Sequence, residues 1–190
     1  MLGPICWESI IPMNIPTIPL PTLLSFLSFA AFGQSDQGIK APNVVAISER
    51  LVTSGQPTPE SLANLSKHGF QAVIYLAPPS VPDAVANEPE IVRRQGLTFV
   101  NIPIQWSNPT EADFQSFVVA MKGVQGQKTL VHCQANMRAS AMTFLYRVIA
   151  LRENPTGAYE AVLRVWTPKN QWKELMNSQL QKAKVPFEVK

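Results

Sequence analysis

The residues between positions 131 and 140, which read VHCQANMRAS, combine a nucleophile with a ligand for an anion. Cys133 directly follows His132, and Arg138 comes after four intervening residues. A turn between a strand and a helix can direct several backbone N–H groups at one point, and the N-terminus of the helix adds positive potential. Such a field favours the thiolate form of a cysteine, and an arginine can bind two oxygens of an oxyanion at once. The spacing therefore predicts a nucleophile site for an oxyanion, with Cys133 and Arg138 as catalytic residues.

Six other residues of this stretch are assigned to substrate binding: His132, Gln134, Ala135, Asn136, Met137 and Ser140. Substrate binding mainly through backbone N–H groups is expected of four of them: Gln134, Ala135, Asn136 and Met137. Within this set His132 is expected to act indirectly: its side chain faces away and hydrogen-bonds the nearby backbone, which would hold the loop in place. Ser140 lies one turn into the following helix, where its hydroxyl could reach the sulfur of Cys133.

Short apolar runs that are typical of strands must position this loop. They are Val44–Ile47, Leu51–Thr53, FQAVIYLA, LTFVNIPI and KTLVHC, and the last of them leads into Cys133. Helical segments alternate with these runs, which predicts an α/β domain with a mostly parallel central sheet flanked by helices. In such folds ligands bind outside the carboxyl ends of the strands. The loop from Cys133 to Arg138, called the Cys133 loop below, lies at such an end.

Helix signals separate and follow these strands. The segment TPESLANLSKHGF is predicted as one helix, with Thr58 as N-cap, Pro59 at the first position and Gly69 just past the end. The segment NEPEIVRRQG indicates a second helix, and PTEADFQSFVVAMKGV indicates a third that is capped at Thr110. Further helices are expected after the Cys133 loop: Arg138–Glu153, NPTGAYEAVLRVW and NQWKELMNSQLQKA.

The first 33 residues have the pattern of a secretory signal. Leu23–Phe32 is an apolar segment of suitable length, and Ala31 and Gly33 are small residues at both positions that a signal peptidase reads. The predicted organisation is a signal at 1–33, a linker at 34–43 and one domain at 44–190. Cleavage would leave a periplasmic or secreted protein with no membrane span. An uncleaved membrane anchor, or a start with neither role, stays open, since Ile10–Phe32 carries no charge.

Composition narrows the classes of function. The chain has 190 residues, which suits a single domain with a substantial core. Its formal net charge is +3, and no run of Lys and Arg lies among aromatic residues, so nucleic-acid binding is not expected. The two cysteines, Cys6 and Cys133, and the two histidines form no cluster with ligand spacing, so no metal site is expected.

Several segments together resemble one family. ISERLVTSGQPT, GFQAVIYLAPP, FVNIPI, PTEADF and HCQANMRASAMTFLYRV are similar to the bacterial beta-lactamase hydrolase-like (DUF442-type) phosphatase group. This group is a short-loop branch of the cysteine-based protein tyrosine and dual-specificity phosphatases. In most of that superfamily five residues separate Cys from Arg, and Ser or Thr follows the Arg. Here four residues separate Cys133 from Arg138, and Ala139 precedes Ser140.

The resemblance implies a phosphatase-like domain over 44–190 and a phosphatase reaction. Cys133 would attack phosphorus in line, Arg138 would bind the phosphate, and water would hydrolyse the resulting phosphocysteine. Neither a metal nor another cofactor is required. The implied partners are phosphoproteins or small phosphate esters, and the oligomeric state is left open.

The same resemblance implies a proton donor for the leaving group on PIQWSNPTEAD, the segment before the third helix. Residues 105–108 contain no acid, so Glu111 is the candidate general acid. Asp113 is a less favoured candidate for the same role, because it stands three residues after Thr110 and its expected role is in a capping box at the helix start. Trp106 on this segment could form a wall of the substrate mouth or pack in the core.

Two alternatives to a phosphatase remain open. A rhodanese-like sulfurtransferase also uses a Cys with a short loop, although VIYLAPP lacks the Asp-Arg pair of that class and the chain continues with helices. A catalytically weak phosphate-binding module with the same fold is the other alternative, because residues 105–108 contain no acid. An ordinary core role for Cys133 is the simplest interpretation of an isolated cysteine, but the strand, helix and Arg138 around it argue against that role.

Overall fold

A computed structural model describes residue 3 and residues 38–190 of the chain. The predicted secretory signal and the first part of the predicted linker lie outside the described residues. Within the described part of the chain, no helix is long and apolar enough to span a membrane.

A mixed sheet of five strands forms the centre of the domain, in the order β1-β2-β5-β3-β4. The strands are β1 (Val45–Ser48), β2 (Leu51–Ser54), β3 (Ala72–Tyr75), β4 (Thr98–Asn101) and β5 (Thr129–His132). β1 runs antiparallel to β2, and the other neighbouring strands are parallel. Strands β2, β3 and β5 are buried along their whole length, as expected where helices cover both faces of a parallel sheet. The predicted mostly parallel sheet is confirmed.

Helices cover both faces of this sheet. They are α1 (Pro59–Leu62), α2 (Glu88–Arg93), α3 (Glu111–Gly123), α4 (Met137–Leu145), α5 (Pro155–Leu163) and α6 (Asn170–Lys182). Successive residues of a strand point to opposite faces, so Val73 and Leu130 join the core beneath α1 and α2, whereas Ile74 and Val131 join the core beneath α3 to α6.

The prediction of a single helix over TPESLANLSKHGF is wrong, although the predicted N-cap at Thr58 and the predicted end at Gly69 are confirmed. Thr58 accepts a hydrogen bond from the N–H of Ser61, and Gly69 ends the segment in the left-handed conformation with φ 77°. Between them α1 is followed by a separate 3₁₀ helix, Leu65–His68. The amide of Asn64 donates to the carbonyl of Glu60 at 2.8 Å. This side-chain bond competes with the backbone for an α-helical acceptor and interrupts the helix.

The helix expected at Arg138–Glu153 is also shorter than predicted. After α4 the chain continues as a π-helix, Tyr146–Ala150. Arg152 then adopts a left-handed conformation with φ 61°, which an α-helix cannot contain. Arg147 binds Glu153 through Nε at 2.9 Å and through Nη2 at 2.6 Å, which fixes the chain beyond the helix end.

Candidate active site

The Cys133 loop lies outside the carboxyl ends of three parallel strands. β5 ends at His132 and α4 begins at Met137, and β5 is flanked by β2 and β3, which run in the same direction. The backbone N–H of Cys133 donates to the carbonyl of Ser54 at the end of β2, at 3.3 Å. Cys133 is 1% exposed and Arg138 is 5% exposed. The fold therefore encloses both predicted catalytic residues at one edge of the sheet.

Asn136 makes the sharp turn from this loop into α4. Its backbone is left-handed, with φ 68° and ψ −2°, a conformation that asparagine tolerates better than most residues. The side-chain amide donates to the carbonyl of Asn43 at 2.6 Å and to the hydroxyl of Thr53 at 3.0 Å. The N–H of Ser140 donates to the carbonyl of Asn136 at 2.8 Å and begins the helix. The segment before β1 and the end of β2 thus hold the turn.

Outward hydrogen bonds fix the direction of the loop peptides. The carbonyl of Gln134 accepts from the N–H of Gln56 at 3.0 Å, and the carbonyl of Ala135 accepts from the amide of Asn43 at 3.0 Å. In a planar trans peptide the N–H points opposite to the carbonyl. The N–H groups of Ala135 and Asn136 therefore point away from Gln56 and Asn43.

Gly55 permits the close approach of this loop to the end of β2. Gly55 and Ala135 form an isolated β-bridge. A Cβ atom at position 55 would lie 2.7 Å from the carbonyl oxygen of Gln134 and 2.9 Å from the Cβ of Pro42, and both distances are shorter than real Cβ contacts. The segment LVTSGQPT therefore contacts the Cys133 loop.

Arg138 is held over the loop by an amide and a ring. Its Nη1 donates to Oε1 of Gln134 at 3.3 Å, and its guanidinium carbon lies 5.5 Å from the centre of the Trp106 ring. The Nε of Arg138 is buried and has no hydrogen-bond partner within residues 38–190. A buried N–H without a partner is costly, so this group is available to an oxyanion.

Three tryptophans form a wall beside Arg138. The ring centre of Trp106 lies 5.4 Å from the ring centre of Trp166 and 5.4 Å from that of Trp172. The carbonyl of Trp106 accepts from Nε1 of Trp172 at 3.0 Å, and the Trp106 side chain is 39% exposed. Trp106 thus packs on the core with one part and faces solvent with another, so both expected roles are compatible with its position.

Ser140 has other partners than the sulfur of Cys133. Its hydroxyl donates to the carbonyl of Met137 at 3.0 Å and accepts from Nε1 of Trp166 at 3.2 Å. These bonds tie the first turn of α4 to the tryptophan wall. A contact of Ser140 with the sulfur stays a prediction.

The expectation for His132 is wrong in its partner. Nε2 of His132 lies 2.6 Å from Oε1 of Glu88, not against the backbone, and both side chains are buried. The other carboxylate oxygen of Glu88 accepts from the amide of Gln56 at 2.8 Å, and the ring of His132 stacks on Tyr75 at 4.7 Å. The sequence did not indicate Glu88 as this partner. Glu88 is the first residue of α2, and an acidic residue at a helix start is usually solvated and interacts with the helix dipole.

The carboxylates expected on the PIQWSNPTEAD segment have different partners. Asp113 forms the predicted capping box with Thr110, with a carboxylate oxygen 2.8 Å from the backbone N of Thr110. Glu111 is 47% exposed and forms an ion pair with Lys182 of α6. Its role as general acid stays a prediction.

Asp83 is a site residue that the sequence did not indicate. Its Oδ1 accepts a hydrogen bond from the side-chain amide of Gln134 at 2.6 Å. It lies in the loop between β3 and α2, 51 residues before Gln134 in the chain, and nothing in its Pro-rich surroundings marks it as functional.

Tyr75 lies among the charged groups of the site. Burial is the largest cause of its raised pKa, and the charges of Glu88, Asp83 and Cys133 raise it further, while Arg138 lowers it. The phenol therefore remains neutral near physiological pH and serves as a flat support for the His132 ring.

A buried cysteine and arginine on a strand–loop–helix unit, above a mostly parallel sheet flanked by helices, define a cysteine-phosphatase fold of the tyrosine and dual-specificity type. Residues 28–175 match the model of the PTP-NADK family, described as a DSP-PTPase phosphatase fused to NAD+ kinase. The chain belongs to this family.

Curated relatives resemble a shorter part of the chain than the family model does. It is 36% identical over 109 residues to the beta-lactamase hydrolase-like protein of Xylella fastidiosa strain Temecula1, which covers 56% of this chain and 25% of the relative. The protein of the same description from Agrobacterium fabrum is 30% identical over 105 residues. The matched region spans about a quarter of each relative's length. The resemblance to this group is confirmed.

Solved structures agree with the fold. The structure of a candidate phosphatase (DUF442) from Shewanella putrefaciens CN-32 is 31% identical in sequence and superposes with a TM-score of 0.69. The superposition covers 75% of this chain and 91% of the Shewanella chain. Tk-PTP in its active form has a TM-score of 0.59 at 16% identity, over 77% of this chain and 99% of its own, and so shows similarity of fold alone.

Proposed function

We propose that this protein is a cysteine-dependent phosphatase that hydrolyses phosphate monoesters through a phosphocysteine intermediate. One observation carries the proposal. Cys133 is enclosed by a loop whose carbonyls are bonded outward, next to an arginine whose buried Nε has no partner among the described residues. Inward N–H groups and a guanidinium are the donors that the oxygens of a phosphoryl group require.

The reaction has two displacement steps. In the first, the thiolate of Cys133 attacks phosphorus in line, an S–P bond forms, and the P–O bond to the leaving group breaks as that oxygen takes up a proton. In the second, water attacks phosphorus, the S–P bond breaks, and inorganic phosphate and the thiolate are released. The N–H groups of Ala135 and Asn136, together with Arg138, stabilise the negative charge on the equatorial oxygens in both steps.

The proposed substrates are phosphate esters of the tyrosine or dual-specificity type. The exposed part of Trp106 lies beside Arg138, so a phosphate in the loop would place its leaving group next to an aromatic surface. An aryl leaving group can stack there. Phosphotyrosine, in a protein or a peptide, is the substrate that this surface favours over phosphoserine.

The test is hydrolysis of para-nitrophenyl phosphate by the full chain in a chelating buffer, with Cys133→Ser, Arg138→Ala and Arg138→Lys beside the wild type. We expect turnover by the wild type, inhibition by vanadate, no turnover by C133S, and a loss of about 10²-fold or more in R138A. R138K keeps the charge but not the planar fork and is expected to recover only part of that loss.

Equal turnover by the wild type and C133S would overturn the proposal. The thiosulfate-to-cyanide assay would then test the sulfurtransferase alternative, and vanadate binding would test a phosphate-binding module. A phosphotyrosine peptide and its phosphoserine counterpart, compared by kcat/KM in the wild type and in Trp106→Ala, test the substrate preference. Discrimination is expected to decrease in W106A.

A further inference from the structure

The leaving group of an ordinary phosphate ester needs a proton donor, and the described carboxylates near the loop are unequally suited to that role. Asp113 is engaged in its capping box, and Glu111 forms an ion pair with Lys182. Glu88 is buried and accepts from both His132 and Gln56. A donor must reach the oxygen that leaves on the solvent side of the phosphate.

Asp83 lies on that side because of the strand order. β3 and β5 are adjacent and parallel, so the loops that follow them leave the sheet at the same edge. Asp83 lies in the loop after β3, and Gln134 is the residue after Cys133 in the loop after β5. The 2.6 Å hydrogen bond from the amide of Gln134 to Asp83 joins the two loops.

Asp83 is also connected to the phosphate ligand. Gln134 donates to Asp83 through Nε2 and accepts from Nη1 of Arg138 through Oε1. Of the carboxylates in residues 38–190, Asp83 is the one that hydrogen-bonds to a residue between Cys133 and Arg138. Asp83 is exposed whereas Cys133 is buried, so a substrate that enters from solvent can reach the Asp83 carboxyl.

We propose that Asp83 is the general acid that protonates the leaving oxygen when Cys133 attacks, and that Gln134 positions its carboxyl. The proposal rests on the phosphatase function proposed above. In the first step the proton passes from the Asp83 carboxyl to the departing oxygen, which leaves as an alcohol or phenol. In the second step the Asp83 carboxylate takes a proton from the attacking water.

Asp83→Asn is the decisive variant. An asparagine oxygen can still accept from the amide of Gln134, so the hydrogen bond between the two loops is retained while the transferable proton is lost. Glu60→Gln is the matched control, since it neutralises a carboxylate that is 77% exposed on α1. Circular dichroism and vanadate inhibition of D83N check that the fold and the Cys133 loop are intact.

The readout is the dependence of rate on the leaving group. Phenyl phosphate has a poor leaving group and needs the acid, whereas para-nitrophenyl phosphate needs it much less. We expect D83N to lower kcat on phenyl phosphate by about 10²-fold, with a much smaller effect on para-nitrophenyl phosphate. The decrease in rate of the wild type at high pH on phenyl phosphate is expected to disappear in D83N. E60Q is expected to match the wild type on both substrates.

Each other outcome overturns the assignment of Asp83. An equal loss on both substrates would mean that Asp83 only positions Gln134. The leaving-group signature in Glu111→Gln instead of D83N would place the acid on the segment that the sequence indicated. If the wild type does not exceed C133S on para-nitrophenyl phosphate, the phosphatase function itself fails and this proposal fails with it, so the two failures are distinguishable.

Discussion

Glu88 and His132 form a buried hydrogen-bonded pair, with 2.6 Å between Oε1 and Nε2, at the residue that precedes the Cys133 loop. The two residues are 44 positions apart in the chain. Cys133 follows His132, so whatever fixes the imidazole also fixes the start of the loop. The stack of His132 on Tyr75 holds the ring from another side. The start of the Cys133 loop is therefore supported by buried contacts that do not involve Arg138.

Removal of the Glu88 carboxylate is expected to destabilise the protein strongly. In Glu88→Ala the Nε2 of His132 and the amide of Gln56 lose their partner in a buried environment, which costs about 3–5 kcal/mol when one member of a buried pair is removed. Glu88→Gln can keep one bond and is expected to cost less. Urea unfolding followed by circular dichroism measures the free energy of unfolding. Glu90→Ala, on the solvent side of α2, is the control and should change it by less than about 1 kcal/mol. A wild-type stability of E88A would contradict this role.

Gly55→Ala is expected to displace the Cys133 loop. The new Cβ would lie 2.7 Å from the carbonyl oxygen of Gln134, and backbone on both sides cannot move aside cheaply, so a cost of about 1–3 kcal/mol is expected. Because the carbonyl of Gln134 orients the next N–H, phosphatase activity should fall as well. Gly123→Ala is the matched control: position 123 is helical, and beyond its chain neighbours and the nearby backbone of its own helix, no described atom lies within 4 Å of a new Cβ. G123A should retain activity and stability, and equal behaviour of the two variants would contradict the prediction.

Asn136 combines a strained backbone with two side-chain bonds, and two variants separate these contributions. Asn136→Ala loses both bonds and places alanine at φ 68°, so a cost of about 3 kcal/mol is expected. Asn136→Gly loses the same bonds but accepts the left-handed conformation, and should be about 1 kcal/mol more stable than N136A. The difference between their free energies of unfolding measures the strain. A difference near zero would show that the backbone conformation is not preserved in N136A.

Local signals were predictable from the sequence because their partners lie a few residues apart. The capping box of Thr110 and Asp113 spans three residues, and Thr58 with Pro59 marks the start of α1 in the same way. The strand before Cys133 and the helix after it could be read from apolar patterns. The break at Asn64 was not predicted, because a side-chain bond to the turn before it has no signal in helix periodicity.

The support of the site could not be predicted from local patterns. Glu88 meets His132, Asp83 meets Gln134, and Asn43 meets Asn136 only because β5 lies between β2 and β3. Alternation of strands and helices predicts a mostly parallel sheet but not the order of its strands. For that reason Cys133 and Arg138 were recognised in the sequence as candidate site residues, whereas the residues that contact and support their loop were not.

The three tyrosines give the protein a stability that depends on pH. Burial raises the pKa of Tyr75, Tyr146 and Tyr159 above the usual value of 10. Above about pH 10 the unfolded chain loses phenolic protons that the folded protein keeps, so the folded state binds more protons. Stability from this source is therefore complete below pH 10 and decreases as pH rises beyond it. Each tyrosine contributes a slope of up to about 1.4 kcal/mol per pH unit.

Urea unfolding between about pH 8 and pH 11 measures this slope, and tyrosinate absorbance shows when the phenols ionise. Ionisation is expected to coincide with unfolding. Tyr159→Phe is the matched variant, because the hydroxyl of Tyr159 is buried without a hydrogen-bond partner among residues 38–190, so its removal keeps the ring packing. Y159F should reduce the decrease of the unfolding free energy per pH unit above about pH 10 by the contribution of one tyrosine. Lysines also titrate in this range, but their contribution is the same in both proteins and cancels in the comparison. Tyrosinate absorbance near pH 10 from all three residues in a fully folded protein would contradict the burial argument.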